Sequence, residues 1–301
     1  MISRTLDTVQ QLDELYNNAV LFGYSSIEYD NLLLEKNVNN QWVLKKWLGK
    51  DSVSQIQVPF FIEVLDKGVF AHFSRLEHIE FEEGSNLKVI DDGSFVDCKS
   101  LISIEIPNTC ERIGNLAFKD CCNLASLKFG YQPALQEIGE EAFANCISLL
   151  SVEVTGMCSK IGKRAFYACT KLSSVRLNCA CEVIEEDTFK ACRSLAHLEL
   201  PNKLKKILGH SFSYTFNLKK IEFPETLVQL GPCSFMNSGL TNVRFNGESL
   251  HILGTKAFQY CHNLRKVSLP KQIDKRGRKV FNGCYYLEKS MQRSKLCHLL
   301  V

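Results

Sequence analysis

A phenylalanine recurs along this chain at a nearly fixed interval, and that interval limits the possible folds more than any other feature. The spacing is 23 residues, except for two spacings of 25. A period in the twenties is typical of solenoids, in which each repeat is one coil that buries its apolar edge against the next. The ten positions are Phe70, Phe95, Phe118, Phe143, Phe166, Phe189, Phe212, Phe235, Phe258 and Phe281.

Other apolar residues recur at fixed distances from the phenylalanine. A cysteine stands three residues after it in seven repeats, and a leucine stands six residues after it in nine. An alternating apolar pair follows, as in Val152 and Val154. Because alternation with period two indicates a strand, we predict one short strand and one turning arc in each repeat. The coils should stack at the strand spacing of about 4.8 Å.

The repeat unit resembles that of the BspA-like leucine-rich repeat family. The segments LISIEIPNTCERIGNLAFKDC and LAHLELPNKLKKILGHSF carry that family's pattern, L-x-x-I-x-I-P followed by I-G-x-x-A-F-x-x-C, and the resemblance covers about residues 53 to 290. It implies an α/β repeat solenoid that winds as a right-handed superhelix, with the strands on the concave side. It also implies a role in protein binding, often adhesion at a cell surface, and it does not imply catalysis.

The two ends of the chain differ from the repeats. In residues 1–52, Leu6, Val9, Leu12, Tyr16 and Val20 follow helical spacing. We therefore predict a helical N-terminal cap over residues 1–52, a solenoid of about ten 23-residue units over residues 53–290, and a tail over residues 291–301. Solenoids need such caps because a bare terminal coil would expose its apolar edge to water.

Composition and the N-terminal sequence bear on partners and location. The net charge of +3 is too small to favour nucleic acid or an anionic membrane as an obligate partner. No apolar run is long enough to span a bilayer. Arg4, Asp7 and Asp13 interrupt the place where a secretory signal has its apolar core. We expect a cytoplasmic monomer, with the cell surface, reached by a non-classical route, as the alternative.

Fourteen cysteines raise the question of disulfides or zinc. Seven stand three residues after the phenylalanine. Cys110, Cys158 and Cys181 stand where other repeats have leucine or isoleucine. These ten thiols are predicted to be small buried apolar groups. Cys179 and Cys181 form a C-x-C pair, but no second pair completes a tetrahedral zinc site at a recognisable spacing. We expect no metal, no cofactor and a reducing compartment.

Motifs of catalysis are not evident in the sequence. The Ile-Gly dipeptides recur with the period, so they indicate a backbone turn rather than a phosphate-binding loop. The histidines, including His78, His197, His210 and His262, fall in different repeats and at different positions within them. We therefore expect no enzymatic activity and no catalytic residues.

The strands predict an exposed polar surface, since alternate residues of a strand point to opposite faces. One predicted row is His78, Ser103, Ser126, Ser151, Ser174, His197, Lys220, Asn242 and Lys266, and its neighbour is Glu80, Glu105, Lys128, Glu153, Arg176, Glu199, Glu222, Arg244 and Ser268. The rows lack the Trp and Tyr anchors common in tight interfaces, so a merely solvated face is the alternative.

From these rows we predict a non-enzymatic scaffold that presents a concave polar surface to a protein partner. A surface antigen or adhesin of the BspA-like type, mediating cell or matrix attachment, is the other candidate. The predicted protein-binding residues are Lys128, Glu153, Arg176, His197, Glu199, Lys220, Glu222 and Arg244.

A basic segment lies near the C-terminus. Residues 271–295 contain eight Lys or Arg against Asp274 and Glu288. A nuclear-import signal, a phosphate contact and an acidic partner are possible roles. We expect a solvated capping edge, because Phe281, Cys284 and Leu287 keep this segment in the repeat.

Overall fold

The computed structural model describes residues 2–50 and 52–287, and the repeats form a parallel β-solenoid. Most coils contain one longer strand and one strand of two residues, joined by the turning arc. The predicted repeat solenoid is confirmed. A single hydrophobic core runs through all the coils. The predicted tail, residues 291–301, and Cys297 lie outside the described residues.

The N-terminal segment is only partly helical. Helix α1 (Ile2–Leu21) is followed by an antiparallel meander of β1 (Ser26–Tyr29), β2 (Leu32–Lys36) and β3 (Trp42–Trp47). Asp30 and Asn31, both with positive φ, form the two-residue turn between β1 and β2, as hairpins of this kind require. Helical spacing therefore identified α1, but our prediction of a helical segment was wrong for residues 26–47.

The longer strands form one side of the solenoid. Their bounds are β4 (Gln55–Val58), β6 (His78–Phe81), β8 (Ser103–Ile106), β10 (Ser126–Phe129), β12 (Ser151–Gly156), β14 (Ser174–Cys179), β16 (His197–Glu199), β19 (Asn242–Arg244) and β21 (Lys266–Ser268). They pair in three parallel sheets, with the orders β10-β8-β6-β4, β12-β14-β16 and β19-β21.

The two-residue strands form a second side of the solenoid. Their bounds are β5 (Val64–Leu65), β7 (Val89–Ile90), β9 (Arg112–Ile113), β11 (Glu137–Ile138), β13 (Lys160–Ile161), β15 (Val183–Ile184), β17 (Lys206–Ile207), β18 (Gln229–Leu230), β20 (Ile252–Leu253) and β22 (Lys275–Arg276). The sheet orders are β1-β2-β3-β5-β7-β9-β11-β13 and β15-β17-β18-β20-β22. Strand β3 pairs in parallel with β5 and so joins the N-terminal meander to the first coil.

The phenylalanine of each arc stacks on that of the next coil. Ring centroids of successive phenylalanines lie 4.9 Å apart for Phe95 and Phe118 and 5.6 Å apart for Phe258 and Phe281. All ten rings are buried. The predicted phenylalanine ladder is confirmed, and it continues through every coil from Phe70 to Phe281.

The arcs are themselves joined by hydrogen bonds, which the sequence did not predict. Around Phe118, Leu116 and Asp120 adopt left-handed φ angles of 58° and 63°. The N–H groups of Leu116, Phe118 and Asp120 donate to carbonyls of the next coil at 2.7–2.9 Å. The Ile-Gly turns also lie tightly between coils, since a Cβ on Gly139 would be 2.5 Å from the carbonyl carbon of Gly114. Side chains are excluded there by the neighbouring backbone.

The cysteines after the phenylalanines are buried, as predicted, and they also donate hydrogen bonds. Each of the seven thiols donates to the carbonyl oxygen of the phenylalanine in the preceding coil, as Cys146 does to Phe118 at 3.2 Å. Burial raises the pKa of Cys98 and of Cys169 to about 12. A small side chain with a weak donor therefore fits this position better than leucine would.

Candidate interaction surface

The outward side chains of the longer strands, here called the long-strand face, are arranged by strand register. In β14 the inward Val175 and Leu177 are buried and the outward Arg176 is exposed. Glu153, Arg176 and Glu199 are aligned side by side on β12, β14 and β16. All eight residues predicted for protein binding are exposed. The structure thus places them on the solvent side of the solenoid.

The structure brings only some of these residues together. Arg176 Nε lies 3.3 Å from Glu199 Oε1, and both side chains are more than half exposed. Lys128 belongs to a different sheet from Glu153, and Arg244 belongs to a third. Lys220 and Glu222 lie on a segment, residues 219–222, that is not assigned to a strand. The predicted continuous surface is therefore divided into separate parts.

Proline coincides with one of these divisions, that between β16 and residues 219–222, but not with the one between β10 and β12, where Gly130 and Thr155 hold the equivalent position. An N–H at this position can donate to the previous coil, as Gly130 does to the carbonyl of Ile106 at 3.0 Å. Proline cannot donate. Pro107 follows β8, and β8 pairs with β6 only at Ser103 and His78. Thr155 and Asn178 occupy the position in β12 and β14, which pair over six residues.

Two successive prolines, Pro201 and Pro224, hold this position on the two sides of the interruption between β16 and residues 219–223. Among the described residues, no backbone hydrogen bond joins β16 to residues 219–223. A groove of about 940 Å³ opens there, here called the central groove. Its apolar lining is Leu198, Leu200, Ile221 and Phe223, and Lys219, Lys220, Glu199 and Glu222 are among its polar residues.

The central groove exposes side chains that other coils bury. Leu198 and Leu200 are half-buried, whereas the residues at the same positions of β12, Val152 and Val154, are buried. His197 N–H donates to Ser173 in the preceding coil at 3.1 Å. Since successive residues of a strand direct their N–H groups to opposite neighbours, the N–H of Leu198 points into the central groove.

A second groove, of about 600 Å³, lies beside Pro107. Its charged lining residues are Glu80, Glu82 and Glu105. Tyr131 also lines it and is 84% exposed. This tyrosine comes from one of the two repeats lengthened to 25 residues, so the strand rows alone could not reveal an aromatic residue near this surface.

Charge changes sign along the long-strand face. Before the central groove, Glu80, Glu105, Glu153 and Glu199 outnumber Lys128 and Arg176. After it, Lys220, Arg244 and Lys266 outnumber Glu222. The central groove therefore marks the junction between an acidic and a basic part of the surface.

The C-x-C pair lies beside a third cysteine. Cys181 Sγ donates to the carbonyl of Cys158 at 3.3 Å. A hydrogen bond from the Cys181 thiol lowers the pKa of Cys179 to about 7, and hydrogen bonds with Cys158 and Cys179 raise the pKa of Cys181. Throughout the part of the chain that the structure describes, no group of three His, Cys, Asp or Glu residues is arranged to hold a metal ion.

The basic segment is described only up to residue 287, where Lys275 and Arg276 form β22 and are exposed. In residues 2–50 and 52–287, no helix has the length and apolar character needed to cross a membrane. His197, another residue predicted for protein binding, also lines the central groove.

Comparison with solved structures gives the same fold. A leucine-rich repeat protein from Bacteroides ovatus is 22% identical with a TM-score of 0.55, and the match covers 78% of this chain but only 60% of that one. A leucine rich cell surface protein from Faecalibacterium prausnitzii is 18% identical with a TM-score of 0.56, covering 87% and 81%. The pneumococcal vaccine antigen PcpA is 18% identical with a TM-score of 0.51, covering 86% of each chain.

The sequence itself identifies the family. No curated protein matches the chain significantly. A family model for the BspA type leucine rich repeat region matches in six copies, over residues 46–173, 122–240 and 182–297. These matches cover most of the chain and coincide with the coils of the solenoid. The chain belongs to the BspA-type leucine-rich repeat family.

Proposed function

We propose that this protein is a non-enzymatic scaffold that binds a protein partner on its long-strand face. One contrast between two surfaces carries the proposal. On the arcs, charges pair from coil to coil: Glu141 contacts Lys119 at 2.6 Å and Arg164 at 3.4 Å, and Arg164 contacts Asp187 at 3.3 Å. These charges already have partners within the protein.

The charges of the long-strand face are largely free. Of the eight residues predicted for binding, only Arg176 and Glu199 pair with each other within the described part of the chain. An exposed pair of this kind is worth about 0–1 kcal/mol. Lys128, Glu153 and Arg244 are held in strands, at fixed spacing, without an ion-pair partner in that part of the chain. Such charges favour selective, salt-dependent contact with another protein.

The test begins with a partner recovered by pull-down with the intact protein. The variant reverses Arg176, Glu199, Glu222 and Arg244 together. Because Arg176 and Glu199 are both reversed, their ion pair is kept with the signs exchanged. We expect weaker binding and a changed salt dependence, with unchanged circular dichroism.

A matched control exchanges an arc pair, Lys119→Glu with Glu141→Lys. This control should bind the partner as the wild type does. If the fourfold variant also binds normally, the long-strand face is only a solvated surface and the proposal is wrong.

The second candidate is a surface antigen or adhesin. It is favoured by the family and by the names of two proteins of similar fold, a cell surface protein and a vaccine antigen. The thirteen cysteines in the described part of the chain are all free, which favours a reducing, cytoplasmic location instead. Fractionation of cells with an antibody to the native protein separates the two, since an adhesin must be found at the surface.

The domain organisation and assembly belong to the same proposal. Residues 1–52 cap the solenoid that begins at residue 53. The pairing of β3 with β5 supports the capping role, because it covers one side of the first coil. The solenoid winds right-handed with the longer strands on its concave side, as the family resemblance implies, and the protein acts as a monomer.

A further inference from the structure

The central groove has the chemical character of an unfilled position in a sheet. The N–H of Leu198 points toward residues 219–223, and among the described residues it finds no acceptor there. Buried backbone groups of a sheet are normally paired, so a free strand edge is a template for another strand. The arcs of the same coils remain joined, with Phe189 and Phe212 5.4 Å apart. The opening is therefore confined to the strand side.

The shape of the lining specifies what kind of chain fits. Leu198 lies in β16 and Leu200 follows its end, two residues further on, so their side chains lie about 7 Å apart along the extended chain. An extended peptide presents alternate side chains at the same interval. Apolar residues at alternate positions would cover both leucines while the peptide backbone bonds to the edge of β16.

Charge specifies the flanking residues. Lys219 and Lys220 line the central groove on the side of Glu222 and outnumber it, and none of the three has an ion-pair partner within the described part of the chain. Glu199 is already neutralised by Arg176. Beyond the central groove, Arg244 and Lys266 continue the basic surface. Acidic residues are complementary to this side of the opening.

We propose that the central groove binds an extended, acidic segment of a partner protein, with apolar residues at alternate positions, by strand addition to β16. This proposal rests on the proposed function and specifies where on the long-strand face the partner makes its main-chain contacts. Main-chain hydrogen bonds supply the affinity in this mode of recognition, and alternate side chains supply the specificity.

The test selects ligands for the full-length protein from a phage-displayed library of random peptides. Enriched peptides are synthesised and titrated by fluorescence anisotropy. We expect them to alternate apolar residues and to contain Asp or Glu. N-methylation of alternate peptide nitrogens should abolish binding in one register only, because an added strand directs alternate N–H groups to opposite sides.

Two variants close or block the central groove. Pro224→Asn introduces the residue found at the same position in β14 and restores a donor toward β16. Leu198→Arg places a charge on the apolar floor and blocks it without removing a fully buried residue. Each should weaken peptide binding by about tenfold or more. Pro107→Asn, the matched control in the second groove, should bind as the wild type does.

Several outcomes would contradict the proposal: no peptide is enriched, or the peptides bind both groove variants as tightly as the wild type. A wild-type dimer in sedimentation that Leu198→Arg dissociates would also overturn it, since a second copy would then fill the central groove. A recovered partner that binds Pro224→Asn normally but not the fourfold charge-reversed variant would refute the central groove as the site. The proposed function would still stand.

Discussion

Strands β12 and β14 form the closed part of the long-strand face, and the coils on either side of the central groove form the open part. Both parts have the same repeat, the same stacked phenylalanines and the same buried leucines. They differ at one equivalent position of the repeat, which is Thr155 or Asn178 in the closed part and Pro201 or Pro224 in the open part. Proline removes one backbone donor from each coil of the open part, while the arcs hold the stack together in both parts.

The largest losses of stability should come from substitutions in the arcs, and these losses should be similar in the closed and open parts. Phe166→Ala and Phe212→Ala should each cost about 3–5 kcal/mol in the free energy of unfolding, because both rings are buried between two others. Phe281→Ala should cost less. Denaturant titrations measure all three, and a clearly smaller loss for Phe212→Ala would mean that the opening extends into the arc.

Substitution of an inward strand residue should destabilise the protein more in the closed part than in the open part. Leu177→Ala should cost about 2–5 kcal/mol, since Leu177 is fully buried between β12 and β16 neighbours. Leu200→Ala should cost about 1 kcal/mol, because part of that side chain is already in water. The same titrations test this pair, and equal losses would mean that the central groove is closed in solution.

Proline should be able to open the closed part. Asn178→Pro removes the N–H that this position directs toward β12, and an unpaired acceptor in a sheet costs about 1–3 kcal/mol. Asn178→Ala keeps the N–H and serves as the control. Thermal or denaturant unfolding compares them, and equal stability of the two variants would refute the role assigned to the position after the strand.

The smallest expected effect concerns the rate of thiol alkylation, which should depend on pH. The thiolate is the reactive form and exists above the pKa, so alkylation of Cys179 should slow as pH falls through about 7. Cys98 and Cys169, whose pKa values are raised to about 12 by burial, should not react until the protein is unfolded. Mass spectrometry after alkylation at several pH values measures both, and rapid native labelling of Cys169 would contradict its burial.

Sequence periodicity predicted the solenoid because the same pattern of apolar residues recurs in every coil. The inward positions of β14, the phenylalanine ladder and the buried cysteines all follow from repeated spacing. The meander of residues 26–47 was missed because it occurs once, and its signal was the turn-forming pair Asp30 and Asn31. An element that occurs only once produces no periodic pattern from which it could be predicted.

The sequence predicted which side chains of the candidate surface face outward, but it did not predict the interruptions between the strands, for a related reason. Spacing placed Arg176 and Glu199 on the outward side, but a continuous row assumed that every coil pairs with the next. The prolines Pro201 and Pro224 were a signal in the sequence against this, since proline cannot donate to the neighbouring coil. Their effect depends on hydrogen bonds between coils, which a pattern of side chains does not display.

Amide hydrogen exchange, measured residue by residue by NMR, tests the central claim most directly. The claim is that β12 is closed against its following neighbour and that β16 is open. We predict strong protection of the amides of Val152 and Val154, and rapid exchange at Leu198 and Leu200, which hold the same positions beside the central groove. Equal protection of the four amides would contradict the account, because β16 would then be paired with residues 219–223.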